Sequence, residues 1–309
     1  MVAAVTVRTL SSPSSSRDAV SAAAAVSSTT STVAAAVVMS LSVRLCVIKL
    51  DCSHFFIHSL RERGMASYRF EPFSTPEAAE SALRVLVESA DEELLLSGSS
   101  AILDRVRPAL EDALDRGVLV LLLTSGVEDD RFEDVARVVH VWEDAGPLSV
   151  ICTADDRDGL CANELVFEEP LNDDEGVLFS HPLVRTHLFS TVIGNTWNRA
   201  TEEYIGEPDP LPATYRNFPT TVVNATLHLR EGRDLDAAVR GKYVGTTEEV
   251  TLEGAVCNVR QSFVSPITNS FPVENSLFVR TADDDVVTVG GPGAFVEDVE
   301  GYEVTLRER

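Results

Sequence analysis

The six residues Val118 to Leu123, Val-Leu-Val-Leu-Leu-Leu, leave this chain few folds to choose from. Side chains alternate between the two faces of a strand, so an unbroken apolar run is stable only where both faces are covered. That is the position of an inner strand in a helix-covered sheet. The flanking sequence supplies the helices. Thr75-Pro76-Glu77 is a helix start, with a capping hydroxyl, a proline in the first turn and an acid at the positive end. Ala79, Ala82, Leu83, Leu86 and Ala90 follow on one helical face, and Glu93 to Gly98 reads as a short buried strand. Leu103, Val106, Leu110, Ala113 and Leu114 form a second stripe ended by Gly117, and Pro108 predicts that its regular helix begins only just before that residue. Further apolar strands are predicted at 138–142, 148–152, 165–167 and 177–179, then a long helix from about Pro182 to Tyr204. Strand and helix alternate, which specifies an α/β sandwich.

Pro208, Pro210 and Pro212 then read as a stiff linker. Beyond it one helix near Phe218–Leu229 leads into strands at 237–244, 250–259, 276–280, 286–289 and 302–306, a small β-rich domain. Three parts are therefore expected: a low-complexity leader (1–64), an α/β domain (65–208) and a β-rich domain (209–309). The leader is rich in Ala, Ser and Thr and holds six basic and three acidic residues, against 19 and 46 in the rest. It is expected to be disordered or to precede the natural start at Met65. No tri-helical periodicity or wing hairpin marks it as a DNA reader.

Charge limits the partners. The chain carries −24, and only Lys49 and Lys242 of its 25 basic residues are lysine. Such a surface repels phosphate backbones, and its acidic, arginine-for-lysine character resembles cytoplasmic proteins of halophilic archaea. Cysteines 46, 52, 152, 161 and 257 are an odd set without framework spacing, as in a reducing cytoplasm. The apolar stretch 33–50 is interrupted by Arg44 and Lys49, so no membrane span is expected. Cys46, Cys52, His54 and His58 lack zinc-knuckle spacing, and Asp155-Asp156-Arg157-Asp158-Gly159 lacks the later ligands of a calcium loop and reads as a hairpin turn. Asp283 to Asp285 is a second turn, and His140, inside an apolar strand, reads as a hydrogen-bonded core residue. No metal and no cofactor is called for.

Several segments, in order, resemble one family. Leu94 to Thr124 (LLLSGSSAILDRVRPALEDALDRGVLVLLLT) looks like the phospholipase-D-like middle domain of archaeal TrmB-type sugar-responsive transcription regulators. Tyr215-Arg216-Asn217-Phe218, Gly241 to Gly245, Asn275-Ser276-Leu277 and Gly290 to Asp298 are similar to that family's C-terminal sugar-binding domain. The resemblance covers about residues 70–309 and departs from the family in lacking a winged helix-turn-helix. It implies a sensor, not an enzyme. Phospholipase D chemistry needs His-x-Lys, and neither lysine has a histidine two positions before it.

The resemblance also points to a site: Asn275, Gly291, Pro292, Phe295, Val296 and Glu297. A Gly-Gly-Pro-Gly run permits close backbone approach and is expected to leave amide N–H groups facing a ligand. Glu297 can accept two hydroxyl hydrogen bonds, Asn275 can donate and accept, and Phe295 can lie against a sugar ring. On the residues alone, the run reads more readily as a β-turn with Phe295 and Val296 in the core. Two functions follow. One is a sugar- or polyol-sensing module that forms a homo-oligomer or pairs with relatives and makes no specific DNA contact itself. The other is a scaffold that dimerises without binding ligand.

Overall fold

The computed structural model describes residues 68–309 apart from 126–131, 144–148, 172, 174 and 271–273. Residues 68–309 form one compact unit. The expectations for the leader, including its missing winged helix and Cys46, Cys52, His54 and His58, lie outside the described residues.

Eight strands make the first sheet: β1 (Arg69–Phe73), β2 (Glu93–Ser99), β3 (Leu119–Ser125), β4 (Val138–Val141), β5 (Val150–Ala154), β6 (Asp158–Ala162), β7 (Gly176–Ser180) and β8 (Thr201–Ile205). Their order across the sheet is β1-β7-β6-β5-β2-β3-β4-β8. Only β2–β3 and β3–β4 are parallel, so the apolar run sits in the middle of a mixed sheet. Both of its faces are covered, as the sequence requires. Leu94, Leu96, Val120 and Leu122 pack beneath helices α1 (Pro76–Glu88) and α2 (Ser100–Asp115). Leu95, Leu119, Leu121 and Leu123 face the other way, onto Phe189, Ile193 and Trp197.

The α1 cap forms as expected, with Thr75 Oγ1 accepting from the Ala78 N–H. Three other expectations fail for identifiable reasons. Helix α2 begins at Ser100, well before Pro108, and runs on through it. Pro108 and Asp104, whose carbonyl loses its partner, both sit on the exposed face, where solvent replaces the missing bond. Glu164–Phe167 is a 3-10 turn rather than a strand, started by Asn163 accepting from the Leu165 N–H at 3.1 Å. The long helix also breaks early. Helix α3 (Pro182–Thr191) passes through a wide turn at Val192–Thr196 and a tight one at Trp197–Arg199, and Thr201–Ile205 becomes edge strand β8 against β4. Trp197 drives the break. It is fully buried, stacks on His140 at 4.1 Å and donates from Nε1 to the Phe263 carbonyl at 3.1 Å.

The hairpin turn at Asp155–Arg157 joins β5 to β6, and the turn at Asp283–Asp285 joins strands of the second sheet. That sheet comprises β9 (Ala213–Tyr215), β10 (Leu235–Tyr243), β11 (Glu249–Arg260), β12 (Ser276–Thr281), β13 (Val286–Gly290) and β14 (Val299–Glu308). Because β14 pairs with both β13 and β10, strands β10 to β14 close into a barrel, and β9 extends it along β14. Bulges at Arg240/Gly241 and Val256/Asn258 give the strands the bend that closure needs. Alternate residues such as Leu235, Ala237, Val239, Leu277, Val279, Val304 and Leu306 fill the interior.

Helix α4 (Phe218–Arg230) joins the two sheets. It is buried nearly all round, as a helix with two apolar faces must be. Phe218, Val222 and Ala225 pack on the barrel, whereas Val223 and Leu227 pack on the first sheet. Arg137 pins the same seam, donating to Asp209 Oδ1 at 3.0 Å and to Asn224 Oδ1 at 2.9 Å.

Candidate functional site

A cleft of about 550 Å³ opens between the end of the barrel and the ends of the inner strands β2, β5 and β6 of the first sheet. Ligand sites commonly measure roughly 300–1,000 Å³. All six residues singled out from the sequence, Asn275, Gly291, Pro292, Phe295, Val296 and Glu297, line it.

The barrel wall is the loop between β13 and β14, held at three points. At its base, Asp298 accepts from the Thr288 N–H at 2.9 Å and hydroxyl at 2.7 Å. This turns Asp298 away from the cleft. In its middle, the Gly293 N–H donates to Glu300 Oε1 at 3.1 Å, and Glu300 also pairs with Lys242 Nζ at 3.0 Å. Burial works against ionisation of Glu300, but the Gly293 N–H and Lys242 outweigh it and hold the carboxyl below the usual carboxylate range. On the cleft side, Glu297 Oε1 accepts from the Ser276 hydroxyl at 2.7 Å.

Two glycines are needed for close approach. A Cβ on Gly290 would stand 2.8 Å from Glu297 Cδ, and one on Gly291 would stand 2.7 Å from Phe218 Cβ. Two of the loop amides, however, are taken within the protein rather than left free for a ligand. Gly293 N–H serves Glu300, and Ala294 N–H closes a turn onto the Gly291 carbonyl at 3.0 Å. Internal turn formation satisfies them first. Phe295 and Val296 are not core residues either. They stand 80% and 60% exposed, an apolar pair beside the cleft. Asn275 is half-buried, and its Oδ1 has no hydrogen-bond partner.

Sequence reasoning missed the opposite wall. It is formed by Glu92 and Glu93 at the start of β2, Asp155 and Asp156 in the hairpin turn, and Arg185 and Phe189 on α3. Asp155 Oδ1 accepts from the N–H groups of Glu92 at 2.8 Å and Glu93 at 3.1 Å, which fixes where β2 begins. Glu93 is buried and pairs with Arg185, whose guanidinium lies 4.4 Å above the Phe189 ring. Burial pushes the Glu93 carboxyl above its ordinary range, and Arg185 opposes that shift without cancelling it. One signal was available: a glutamate opening an otherwise apolar buried strand needs a partner. The identity of that partner, 92 residues later, had no local signature.

Two family models match the chain. The N-terminal subdomain of the effector-binding domain of the transcriptional regulator TrmB matches residues 71–204, and the C-terminal subdomain of that domain in TrmB/TrmBL1 matches residues 210–309. A mixed sheet joined to a barrel across a ligand-sized cleft is thus the effector-binding architecture of a transcriptional regulator. The chain belongs to the TrmB family.

Among solved structures, the chain is similar to Nuc, a phospholipase D family member from Salmonella typhimurium. Identity is 14% over 45% of this chain and 100% of that one, with a TM-score of 0.35. It is also similar to TrmBL2, an archaeal chromatin protein, at 15% identity over 54% of this chain and 66% of that one, TM-score 0.33. NucT from Helicobacter pylori is similar at 14% identity, covering 44% and 99%, with a TM-score of 0.34. No curated protein sequence matches the chain. Among the described residues, no helix is long and apolar enough to cross a membrane, and no group of His, Cys, Asp or Glu is arranged to hold a metal ion.

Proposed function

We propose that the chain is the ligand-sensing part of a TrmB-type regulator, and that the cleft takes a sugar or related polyol without transforming it. The observation that carries this reading is the barrel wall itself. It combines a carboxylate oriented by Ser276, an amide oxygen without a partner and an exposed phenyl ring. A polyol offers donors to Glu297 and Asn275, while the apolar face of its ring can cover Phe295. Charge narrows the ligand further. Glu92, Glu93, Asp155, Asp156, Glu274 and Glu297 line the cleft, against Arg185 as the one basic lining residue described. An anionic sugar would meet this field unfavourably, so a neutral one fits better.

In this reading the chain divides into an α/β part (65–208) and a sugar-binding barrel part (209–309). It works in a cytoplasm, of halophilic archaeal type by its arginine-rich acidity, as a homo-oligomer or paired with full-length relatives. DNA contact is left to another segment or chain, because a net charge of −24 opposes phosphates. Sequence-specific retardation of a promoter fragment by the purified protein would contradict that assignment.

Calorimetry against neutral sugars (glucose, galactose, sucrose, sorbitol) and glucose 6-phosphate tests the site. Hydrogen bonds to a charged group contribute roughly 1.5–3 kcal/mol, so Glu297→Gln should weaken the best neutral sugar about ten-fold or more. Asn275→Ala and Phe295→Ala should act in the same direction. Asp298→Asn should matter less, because Asp298 is committed to Thr288. If wild type bound no sugar, the dimerising scaffold would replace this reading. If Asp298→Asn abolished binding and Glu297→Gln did not, the assigned residues would be wrong.

A further inference from the structure

We propose that Arg185, held by Glu93 on the first sheet, forms a second polar wall of the cleft and hydrogen-bonds the ligand that Asn275 and Glu297 hold from the barrel. The ligand then bridges the two sheets. This rests on the reading of the cleft as a sugar site and adds a residue that no barrel motif contains.

Arg185 is fixed from two directions. Its Nη2 is committed to the buried carboxylate of Glu93, and its guanidinium plane lies over Phe189, one helical turn further along α3. Glu93 is itself immobilised, because its N–H is held by Asp155 and the Asp155 N–H donates back to the Glu93 carbonyl at 2.8 Å. The guanidinium is therefore confined to a narrow range about this position, and little entropy is lost when it meets a ligand.

A polar group on each wall lacks a partner. The Arg185 Nε–H is buried without an acceptor, and Asn275 Oδ1 is buried without a donor. A buried polar group left without a partner is unfavourable, so each is relieved by a ligand that supplies one. A hydroxyl can accept from one and donate to the other, so one polyol relieves both after a small rotation of each side chain. The ion pair sets the kind of contact. With Glu93 beside it, Arg185 carries little net field, so it reads a hydroxyl oxygen rather than attracting an anion.

Arg185→Lys tests this, because it keeps a cation beside Glu93 and removes the fork and its Nε–H. Titrated with the neutral sugar that wild type binds best, it should bind about ten-fold more weakly, with an unchanged melting temperature in the absence of sugar. Arg105→Lys is the control. Arg105 also has a buried Nε without an acceptor, but it pairs with Glu168 and Glu80 and does not line the cleft. Its replacement should leave affinity unchanged.

Should Arg185→Lys fail to fold, the double variant Glu93→Leu/Arg185→Met replaces the pair by apolar side chains, which buried pairs often tolerate. It should fold and show the same loss. Wild-type affinity in either folded variant overturns the proposal, and so does an equal loss in Arg105→Lys. Weak binding by Glu297→Gln with intact binding by Arg185→Lys would leave the sugar reading standing and remove only the second wall. Absence of any sugar binding by wild type would remove both.

Discussion

Glu300 shows how much of the candidate site hangs on single side chains. It does not line the cleft, yet it holds Gly293 through its backbone N–H and anchors Lys242 directly opposite it on the neighbouring strand β10. Its carboxyl is held below the ordinary value of 4.5 despite partial burial. A folded-state pKa lowered in this way contributes stability that is fully present above the unfolded value. That stability is lost as pH falls through the folded value. Melting curves of wild type and Glu300→Gln should therefore differ most at neutral pH, begin to converge near pH 4.5 and converge fully only below the lowered folded value. A gap that stayed constant into acid would mean that Glu300 contributes nothing through its charge. Ser276 plays a comparable part for Glu297, because a carboxylate with one oxygen already oriented presents the rest of its lone pairs in a fixed direction.

Among the elements, α2 and α3 repay comparison, because each departs from its local signals in the opposite sense. Helix α2 continues through Pro108, since the packing of Leu103, Val106 and Leu110 outweighs one lost backbone bond on the solvent side. Pro in a helix interior is about 3 kcal/mol less favourable than Ala, part of which is offset by its stiffening of the unfolded chain. Pro108→Ala should therefore stabilise the protein by about 1–2 kcal/mol, which thermal unfolding can measure. A lower melting temperature would show that the ring itself packs. Helix α3 does the reverse. Its sequence could run to Tyr204, but it stops so that Trp197 can bury against His140 and Phe263 and β8 can cover the edge of β4. The early stop leaves α3 short, with Arg185 and Phe189 beside the cleft.

At the scale of the whole molecule the dominant quantity is charge. A net −24 on 309 residues produces self-repulsion that dilute buffer does not screen. The Debye length falls from about 30 Å at 0.01 M to about 3 Å at 1 M salt, so molar KCl should strengthen the fold markedly. Circular dichroism followed during dialysis from molar to millimolar KCl should show loss of structure, or at least a large fall in melting temperature. Indifference to salt would argue against a halophilic origin. The cleft amplifies the same field locally, because five carboxylates besides Glu93 line it and one guanidinium, already paired, answers them.

Periodicity, caps and turn residues are local properties, so the sequence alone determined the elements that depend on them. The Val118–Leu123 run had to be an inner strand, Thr75 had to start a helix, and Asp155 had to turn a hairpin. The six proposed barrel residues came instead from a resemblance: a glycine run followed by Ala-Phe-Val-Glu, with Asn275 upstream, is similar in order to the family's C-terminal domain. What the tertiary structure decided are the long-range choices. Closure of β10 to β14 into a barrel, the break before Trp197 and the pairing of Glu93 with Arg185 each join residues far apart in sequence. Such contacts form because they remove apolar surface from water or neutralise a buried charge, and no local pattern encodes which distant partner will do so. The loop amides make the same point in miniature. Glycine made them available, and only the fold decided that Glu300 and the Gly291 carbonyl would take them.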